Sequence, residues 1–299
     1  MQIGAVVRLG PVPEGADPPR FSAIQDMARR IEAVGLDSIW VYDHLLYRWP
    51  GRPADGIWES WTTLSALAVA TQRVELGTLV LCSQFRNPAL LAKMASTLDE
   101  ISAGRLILGL GAGWHQPEFD AFGIPFDHRV SRFDEALQII GPLLRSGRVD
   151  FSGTYYAAHD CELIPRGPRP AGPPLLLAGS GPRMLRLIAR HADSWNSAWH
   201  PTPQAAQPSI ERMRAACEAE GRDPATLGLT VSVPLSYPDL GPHGSRSQYL
   251  TGSPEAIAET LHGFAELGTQ HLMVEFWPYT VQALDRFATA VQAYHGARG

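Results

Sequence analysis

The chain is poor in the features that define several large protein classes. It has only 3 cysteines, Cys82, Cys161 and Cys217, which are widely spaced and odd in number. We therefore expect no disulfide framework and a reducing compartment. No apolar run reaches transmembrane length, and the N-terminus lacks the basic and apolar regions of a signal peptide. These absences predict a cytoplasmic protein without a membrane partner.

An excess of positive charge is also missing. The chain has 25 lysines and arginines against 30 aspartates and glutamates, a net charge of -5. This balance gives no reason to expect nucleic acid or an anionic membrane as a partner. With 45% hydrophobic and 18% charged residues, the composition is that of a globular protein with a sizeable core.

The chain does contain a regular alternation of short apolar runs and segments with helical periodicity. Strands are predicted at 3–9, 38–42, 74–82, 106–110, 175–178, 194–198, 229–233 and 271–276. Helices are predicted at 21–34, 60–70, 88–101, 132–144, 183–192, around 210–217, from 254 and at 281–291. Eight strand–helix units without a domain break favour an α/β fold, a single (β/α)8 TIM barrel over residues 1–299.

Two segments interrupt this alternation. Residues 148–173 contain turn residues and several prolines, which predict an insertion with a small hairpin before the fifth strand. Residues 236–253 are rich in proline, glycine and serine, as a mobile active-site loop would be.

Glycines alternate at the end of the fourth predicted strand, at Gly109, Gly111 and Gly113. A dinucleotide-binding fingerprint would need its third glycine where Trp114 stands, followed at once by a helix. The proline-containing stretch that follows predicts a loop instead. At the rim of a barrel, such small residues let a flat ring or a phosphate approach the backbone, or they only relieve crowding.

A second glycine stretch, Gly179-Ser180-Gly181, follows the fifth predicted strand and leads through Pro182 and Arg183 into a helix. Free N–H groups at a helix N-terminus bind anions, and proline suits the first helical position. The stretch predicts a phosphate site, with a plain strand-to-helix turn as the alternative.

Asp43 and His44 stand at the end of the second predicted strand, on the face of a barrel where catalytic residues gather. An acid beside an imidazole can hold a proton or bind the polar edge of a cofactor, whereas the alternative is a surface dipeptide. Neighbouring residues on an extended strand point apart, so the pair does not favour a metal site. Glu275 is a further candidate acid, or the partner of an arginine within the barrel.

Further motifs join these: Leu76-Gly-Thr78, Arg86-Asn-Pro88, Leu98-Asp-Glu-Ile-Ser102, the run from Gly104 to Trp114, Ala178-Gly-Ser-Gly-Pro-Arg183 and Ala192-Asp193. In combination they resemble the luciferase-like monooxygenase family. That superfamily of (β/α)8 barrels includes bacterial luciferase, FMN-dependent monooxygenases, and oxidoreductases that use the deazaflavin coenzyme F420.

The resemblance implies that a flavin-type ring lies across the C-terminal ends of the strands. His44 would lie near the ring with Asp43 beside it, and Leu79–Val80 would form the non-prolyl cis peptide behind it. The residues that would line the ring or the side chain of the cofactor are Cys82, Gly111, Ala112, Gly113 and Trp114. Those that would hold its phosphate are Ala178, Gly179, Ser180, Gly181, Pro182 and Arg183.

Trp114 departs from part of the family pattern. Some F420-dependent sugar-phosphate dehydrogenases carry a carboxylate proton donor at this position, so a sugar phosphate is not the expected substrate. An apolar or aromatic-lined pocket is expected instead. The tryptophans that would form it, or that serve only in packing, are Trp49, Trp58, Trp114, Trp195, Trp199 and Trp277.

The cofactor decides the reaction. We expect F420-dependent hydride transfer to or from a small organic substrate, apolar or aromatic, in a homodimer. The anionic tail of F420 would follow Arg86, Arg105, Arg183 and Arg186 over the surface. The alternative is an FMN monooxygenase that uses oxygen and is fed by a separate reductase. Two further alternatives are a barrel hydrolase acting through Asp43, His44 and Glu275, and a non-catalytic flavin-binding barrel.

Overall fold

The computed structural model describes residues 1–11, 17–241 and 246–296, and a closed barrel of parallel strands is its centre. The barrel strands are β1 (Gln2–Val6), β2 (Ser38–Val41), β3 (Glu75–Thr78), β4 (Leu106–Gly111), β5 (Leu175–Ala178), β6 (Ser194–Ala198), β7 (Gly228–Ser236) and β8 (Thr269–Trp277). Consecutive strands pair in parallel, and β8 pairs with β1 to close the ring. The predicted TIM barrel is confirmed.

Helices surround the barrel. They are α1 (Phe21–Ala33), α2 (Ser60–Ala70), α3 (Pro88–Ile101), α4 (Gln116–Phe122), α5 (Arg129–Ser146), α6 (Pro182–His191), α7 (Pro203–Ala219), α8 (Pro254–Glu266) and α9 (Val281–Gly296). The predicted start of α3 is confirmed, since the Asn87 side chain accepts hydrogen bonds from the N–H groups of Ala89 and Leu90.

The loop predicted after Trp114 is wrong, because α4 begins there. Pro117 lies in its first turn, where a missing N–H costs no helical hydrogen bond. Gly123, with a left-handed φ of 68°, then ends the helix. A proline and a glycine six positions apart occur in loops and also mark the two ends of a short helix, and here the segment is a helix that buries Glu118 and Phe119.

The interior of the barrel is filled around Trp40, which is fully buried among Val6, Ile107, Leu176 and Met273. Glycines make this packing possible. A Cβ at Gly77 would lie 2.1 Å from the Trp40 ring, and a Cβ at Gly109 would lie 1.8 Å from the carbonyl oxygen of Thr78. Gly109 therefore relieves crowding between neighbouring strands, which is one of the two roles predicted for the glycines of β4.

Both predicted interruptions lie between regular elements. In the insertion, Arg148–Ser152 pairs with Ala157–Glu162 as an antiparallel hairpin before β5. The second segment runs from the end of β7 to the start of α8. Residues 242–245 of this predicted mobile loop lie outside the described residues.

The structure bears on disulfides, on membrane spans and on metal clusters. All three cysteines are free. Within residues 1–11, 17–241 and 246–296, no helix combines the length and apolar character needed to cross a membrane, and no cluster of side chains suitable for a metal ion occurs.

A buried hydrogen-bond chain at the N-terminal end of the barrel links Trp40, Ser38 and His271. Trp40 Nε1 donates to Ser38 Oγ over 2.7 Å, and Ser38 Oγ lies 2.6 Å from His271 Nε2. The Ser38 hydroxyl accepts from the indole and exchanges a hydrogen bond with the His271 ring. Burial lowers the pKa of His271 to about 4, so the ring is neutral at pH 7.

We expect this histidine to make the protein less stable in acid. An unfolded histidine titrates near about 6.5, so the contribution of neutral His271 is complete above that pH and is lost as pH falls towards 4. The loss amounts to about 3 kcal/mol. Urea unfolding between pH 7 and pH 4.5 measures it, and His271→Gln should flatten the slope relative to wild type. The exposed His159→Gln serves as the control, and equal slopes for all three proteins would contradict the assignment.

Candidate active site

A cavity of about 190 Å³ opens at the C-terminal ends of the barrel strands. It is lined by Tyr42, Asp43, His44, Leu79, Val80, Leu81, Cys82, Gly113, Trp114, Glu118, Ala178, Asn196, Ala198 and Trp199. The lining is mostly apolar, with an imidazole, a carboxylate and an amide among its polar groups. This composition is typical of a site for a flat organic molecule.

Many predicted cofactor residues meet in this cavity, including His44, Cys82, Gly113, Trp114 and Ala178. The remaining two predicted residues of the β4 end, Gly111 and Ala112, lie beside it rather than in its lining. A Cβ on Gly111 would lie 2.8 Å from Val80 Cγ2. The absence of a side chain at Gly111 therefore lets Val80 pack directly against the backbone of β4.

The backbone of the cavity wall contains two non-prolyl cis peptides. The Leu79–Val80 bond is cis, which confirms the prediction from the family resemblance. The Ala198–Trp199 bond is also cis, and the sequence reasoning missed it. Neither position carries a residue type that signals such a bond.

His44 is held by a residue that the sequence reasoning missed. Its Nδ1 lies 2.9 Å from Glu118 Oε1, and the other carboxylate oxygen accepts a hydrogen bond of 2.8 Å from the N–H of Leu45. Glu118 is 1% exposed. A carboxylate that accepts from both neighbours places the proton of the His44 ring on Nδ1. The other ring nitrogen, Nε2, then has no proton and can accept one.

Glu118 reaches His44 because it lies in α4, four positions after Trp114. The helix directs the Glu118 side chain into the cavity. A loop at this place, as predicted, would not have indicated where the side chain points. A carboxylate is therefore present in the cavity although Trp114 occupies the position at which the family resemblance suggested one.

Asp43 points away from His44 and into a buried polar network. Its carboxylate accepts hydrogen bonds from Ser60 Oγ at 2.7 Å, from the N–H of Cys82 at 3.0 Å and from Arg86 Nη1 at 2.7 Å. Arg86 also pairs with Glu59. These contacts occupy both oxygens of Asp43, and they make it an anchor for the strand ends rather than a proton carrier.

The Cys82 thiol also faces the cavity. Burial raises its pKa well above the ordinary range, and nearby Asp43 and Glu118 act in the same direction. The thiol is therefore neutral, and its Sγ donates to Gln84 Oε1 over 3.3 Å. Cys82 accordingly serves as a small wall residue and not as a nucleophile.

An aromatic cluster forms one side of the cavity. The ring of Trp114 lies 5.5 Å from that of His44 and 6.2 Å from that of Trp49, and Tyr47 stacks on Trp49 at 6.2 Å. Trp114 is 56% exposed, so its face is open to a ligand.

The other predicted tryptophans take different places. Trp199 lines the cavity. The indole N–H groups of Trp58 and Trp195 donate hydrogen bonds to the carbonyls of Pro19 and Gly179, and neither ring lines the cavity. The aromatic wall is therefore smaller than the sequence indicated.

The predicted phosphate segment forms the turn between β5 and α6. The N-cap residue Gly181 has no side chain to cap the helix, and Ser180, Gly181, Pro182 and Arg183 are exposed. Arg183 donates to Ser131 Oγ over 2.8 Å, and its side chain is 49% exposed. The N–H groups of this first turn are open to an anion beside the cavity residue Ala178.

Two of the four arginines predicted to follow a cofactor tail cannot do so. Arg86 is buried between Asp43 and Glu59. Arg105 precedes β4 at the opposite end of the barrel, where it donates to the carbonyls of Ala68 and Val74. Of the four arginines, the two on α6, Arg183 and Arg186, are exposed.

Glu275 is paired with arginines, the second of its two predicted roles. Its carboxylate contacts Arg8 at 3.0 Å and Arg246 at 3.1 Å. It is therefore not a free acid facing a substrate.

Comparisons with known proteins bear on the family and the fold of the chain. Residues 1–240 match the family model described as luciferase-like monooxygenase. An F420-dependent glucose-6-phosphate dehydrogenase of Kineococcus radiotolerans is 32% identical over 225 residues, 72% of this chain and 64% of that protein. A pyrimidine monooxygenase of Cronobacter sakazakii is 35% identical over 177 residues, 55% of this chain and 50% of that protein.

The matched part of the chain thus spans 50 to 64% of the length of these two curated relatives. Among solved structures, an F420-dependent secondary alcohol dehydrogenase superposes with a TM-score of 0.80 at 21% identity, covering 98% of both chains. That likeness establishes the fold.

Proposed function

The chain belongs to the luciferase-like monooxygenase family, whose enzymes are F420- or FMN-dependent oxidoreductases, and from this premise we propose that it uses F420 to oxidise or reduce a small organic substrate. The observation that carries the proposal is the His44–Glu118 pair in the wall of a cavity with an aromatic side. The pair can accept or return a proton where the substrate would react.

The residues present fit a flavin-type cofactor. A side chain on Gly111 would push into Val80, so bare backbone borders the cavity where a flat ring would lie. The uncapped first turn of α6, with Arg183, suits a phosphate at the edge of the same cavity. The cofactor, when bound, supplies hydride chemistry in the case of F420 and oxygen chemistry in the case of FMN.

The protein would contribute orientation and proton handling. Glu118 keeps the proton of His44 on Nδ1, which leaves Nε2 to take or return the proton of a substrate hydroxyl. Trp114 offers an exposed face for an apolar or aromatic substrate beside His44. Asp43 and Glu275 both face arginines, which argues against a hydrolase acting through them.

Fluorescence titration of the purified protein with F420 and with FMN tests the proposal. We expect F420 to bind at least about tenfold more tightly than FMN, and Arg183→Gln to weaken F420 binding about tenfold through loss of a charge-assisted hydrogen bond. Arg190→Gln is the matched control, because Arg190 lies at the far end of the same helix and pairs with Glu220, whereas Arg183 lies at its start, 3.7 Å from Asp134.

Tighter binding of FMN, with oxygen consumption by the reduced protein, would favour the monooxygenase instead. Binding of neither cofactor would refute the redox proposal. Tight binding without turnover on a broad substrate panel would indicate a binding module.

A further inference from the structure

Glu275 is the shared partner of two arginines at the mouth of the barrel. Arg8 Nη2 lies 3.0 Å from one carboxylate oxygen, and Arg246 Nη2 lies 3.1 Å from the other. The side chains of Arg8 and Glu275 are only 12% and 10% exposed. The cluster therefore carries one positive charge in excess. The network of Asp43 is the reverse, with one arginine between two carboxylates.

The cluster also contains hydrogen-bond donors that have no acceptor. The guanidinium of Arg8 stacks on Trp277 at 4.0 Å, and that of Arg246 stacks on Trp199 at 4.2 Å. Within the described part of the chain, Arg8 Nε, Arg8 Nη2 and Trp277 Nε1 are buried and have no hydrogen-bond partner, although Arg8 Nη2 lies in ion-pair distance of Glu275. Buried N–H groups without acceptors are unfavourable, so a shift of these side chains that exposed them to an acidic group would satisfy them.

The position of the cluster separates it from the phosphate segment. Arg8 follows β1 and Glu275 lies on β8, whereas the phosphate segment follows β5 on the opposite side of the barrel. Trp199, on which Arg246 stacks, lines the cavity that also contains His44. Neither arginine belongs to the lining of that cavity, and Arg8 lines a separate cavity of about 510 Å³. An anion bound by Arg246 beside Trp199 would lie next to the reaction cavity, across the barrel from the phosphate segment.

We propose that Arg8 and Arg246 recognise an acidic group of the substrate, a carboxylate or another singly charged oxyanion, beside Trp199. The proposal rests on the proposed function, since it names the substrate class of the same cavity. The substrate then combines an apolar or aromatic body, placed along Trp114, with an acidic end that neutralises the excess charge.

Calorimetric titration with matched pairs of probes tests this assignment. The pairs are benzoate with benzamide and phenylacetate with phenylacetamide, measured on the enzyme with its cofactor. We expect each acid to bind at least about tenfold more tightly than its amide, and Arg246→Gln to abolish this preference. Arg246→Lys should keep part of it. Arg212→Gln, at an exposed position on α7, is the control and should keep all of it.

Equal affinities of the wild-type protein for acids and amides would overturn the proposal. So would an equal loss of affinity for both in Arg246→Gln, which would make Arg246 a wall residue only, or a loss of cofactor affinity with the acid preference intact. Calorimetry does not depend on turnover. If neither F420 nor FMN binds, the proposed redox function fails, while the acid preference is still measured on the protein alone.

Discussion

Replacement of His44 by alanine is expected to lower kcat by about 10²- to 10⁴-fold, the usual share of general acid–base catalysis. The cofactor dissociation constant should change little, because the imidazole contacts Glu118 and the aromatic cluster rather than the phosphate segment. Steady-state kinetics and a fluorescence titration on the same preparation separate the two effects.

His262→Ala is the matched control, since His262 lies on α8 and packs against Tyr294. Its kcat should equal that of the wild type. An unchanged kcat in His44→Ala would eliminate His44 as the proton carrier. A parallel loss of cofactor affinity would instead make it a binding residue.

Replacement of Glu118 by glutamine is expected to lower kcat by about 10²-fold or more, with the fold and the cofactor affinity retained. The carboxylate accepts from both His44 Nδ1 and the N–H of Leu45. A glutamine can accept from only one of them, and its amide would donate to the other. When it donates to Nδ1, the proton of His44 moves to Nε2, and the ring no longer presents a base to the cavity.

Nitrogen NMR of the imidazole distinguishes this positioning role from simple destabilisation. Wild-type His44 should carry its proton on Nδ1, and the Glu118→Gln protein should carry it on Nε2. Glu100→Gln, at an exposed position on α3, is the control and should behave as the wild type. If kcat falls while the tautomer of His44 stays the same, the role assigned to Glu118 is wrong.

Local sequence patterns predicted much of the fold. The helix over Ser60–Ala70 and the strands over Leu175–Ala178 and Ser194–Ala198 have the predicted bounds, because apolar periodicity and caps act within a few residues. The misjudged segment is α4. Its proline and its closing glycine are compatible with a loop, and its helical state depends on burying Phe119 and Glu118 against the barrel.

The sequence likewise predicted some features of the site and not others. Motifs directed attention to His44 and to the glycines after β4 and β5, because strand ends of a barrel meet at one face. The Leu79–Val80 bond was implied only by the family resemblance. The motifs could not tell that Asp43 turns towards Arg86, because that outcome depends on which way the side chain points once the strands have closed. The place of Arg105 did follow from the sequence, since Arg105 directly precedes the predicted strand 106–110 and so lies at the other end of the barrel.

The sequence by itself determined the alternation of strands and helices, the family to which the chain is similar, and the segments that meet at the mouth of the barrel. Only the tertiary structure decided which carboxylate serves His44 and that two arginines converge on Glu275. The physical reason is that hydrogen bonds and ion pairs join residues far apart in sequence. Glu118 lies 74 positions from His44, and no local pattern records such a pairing.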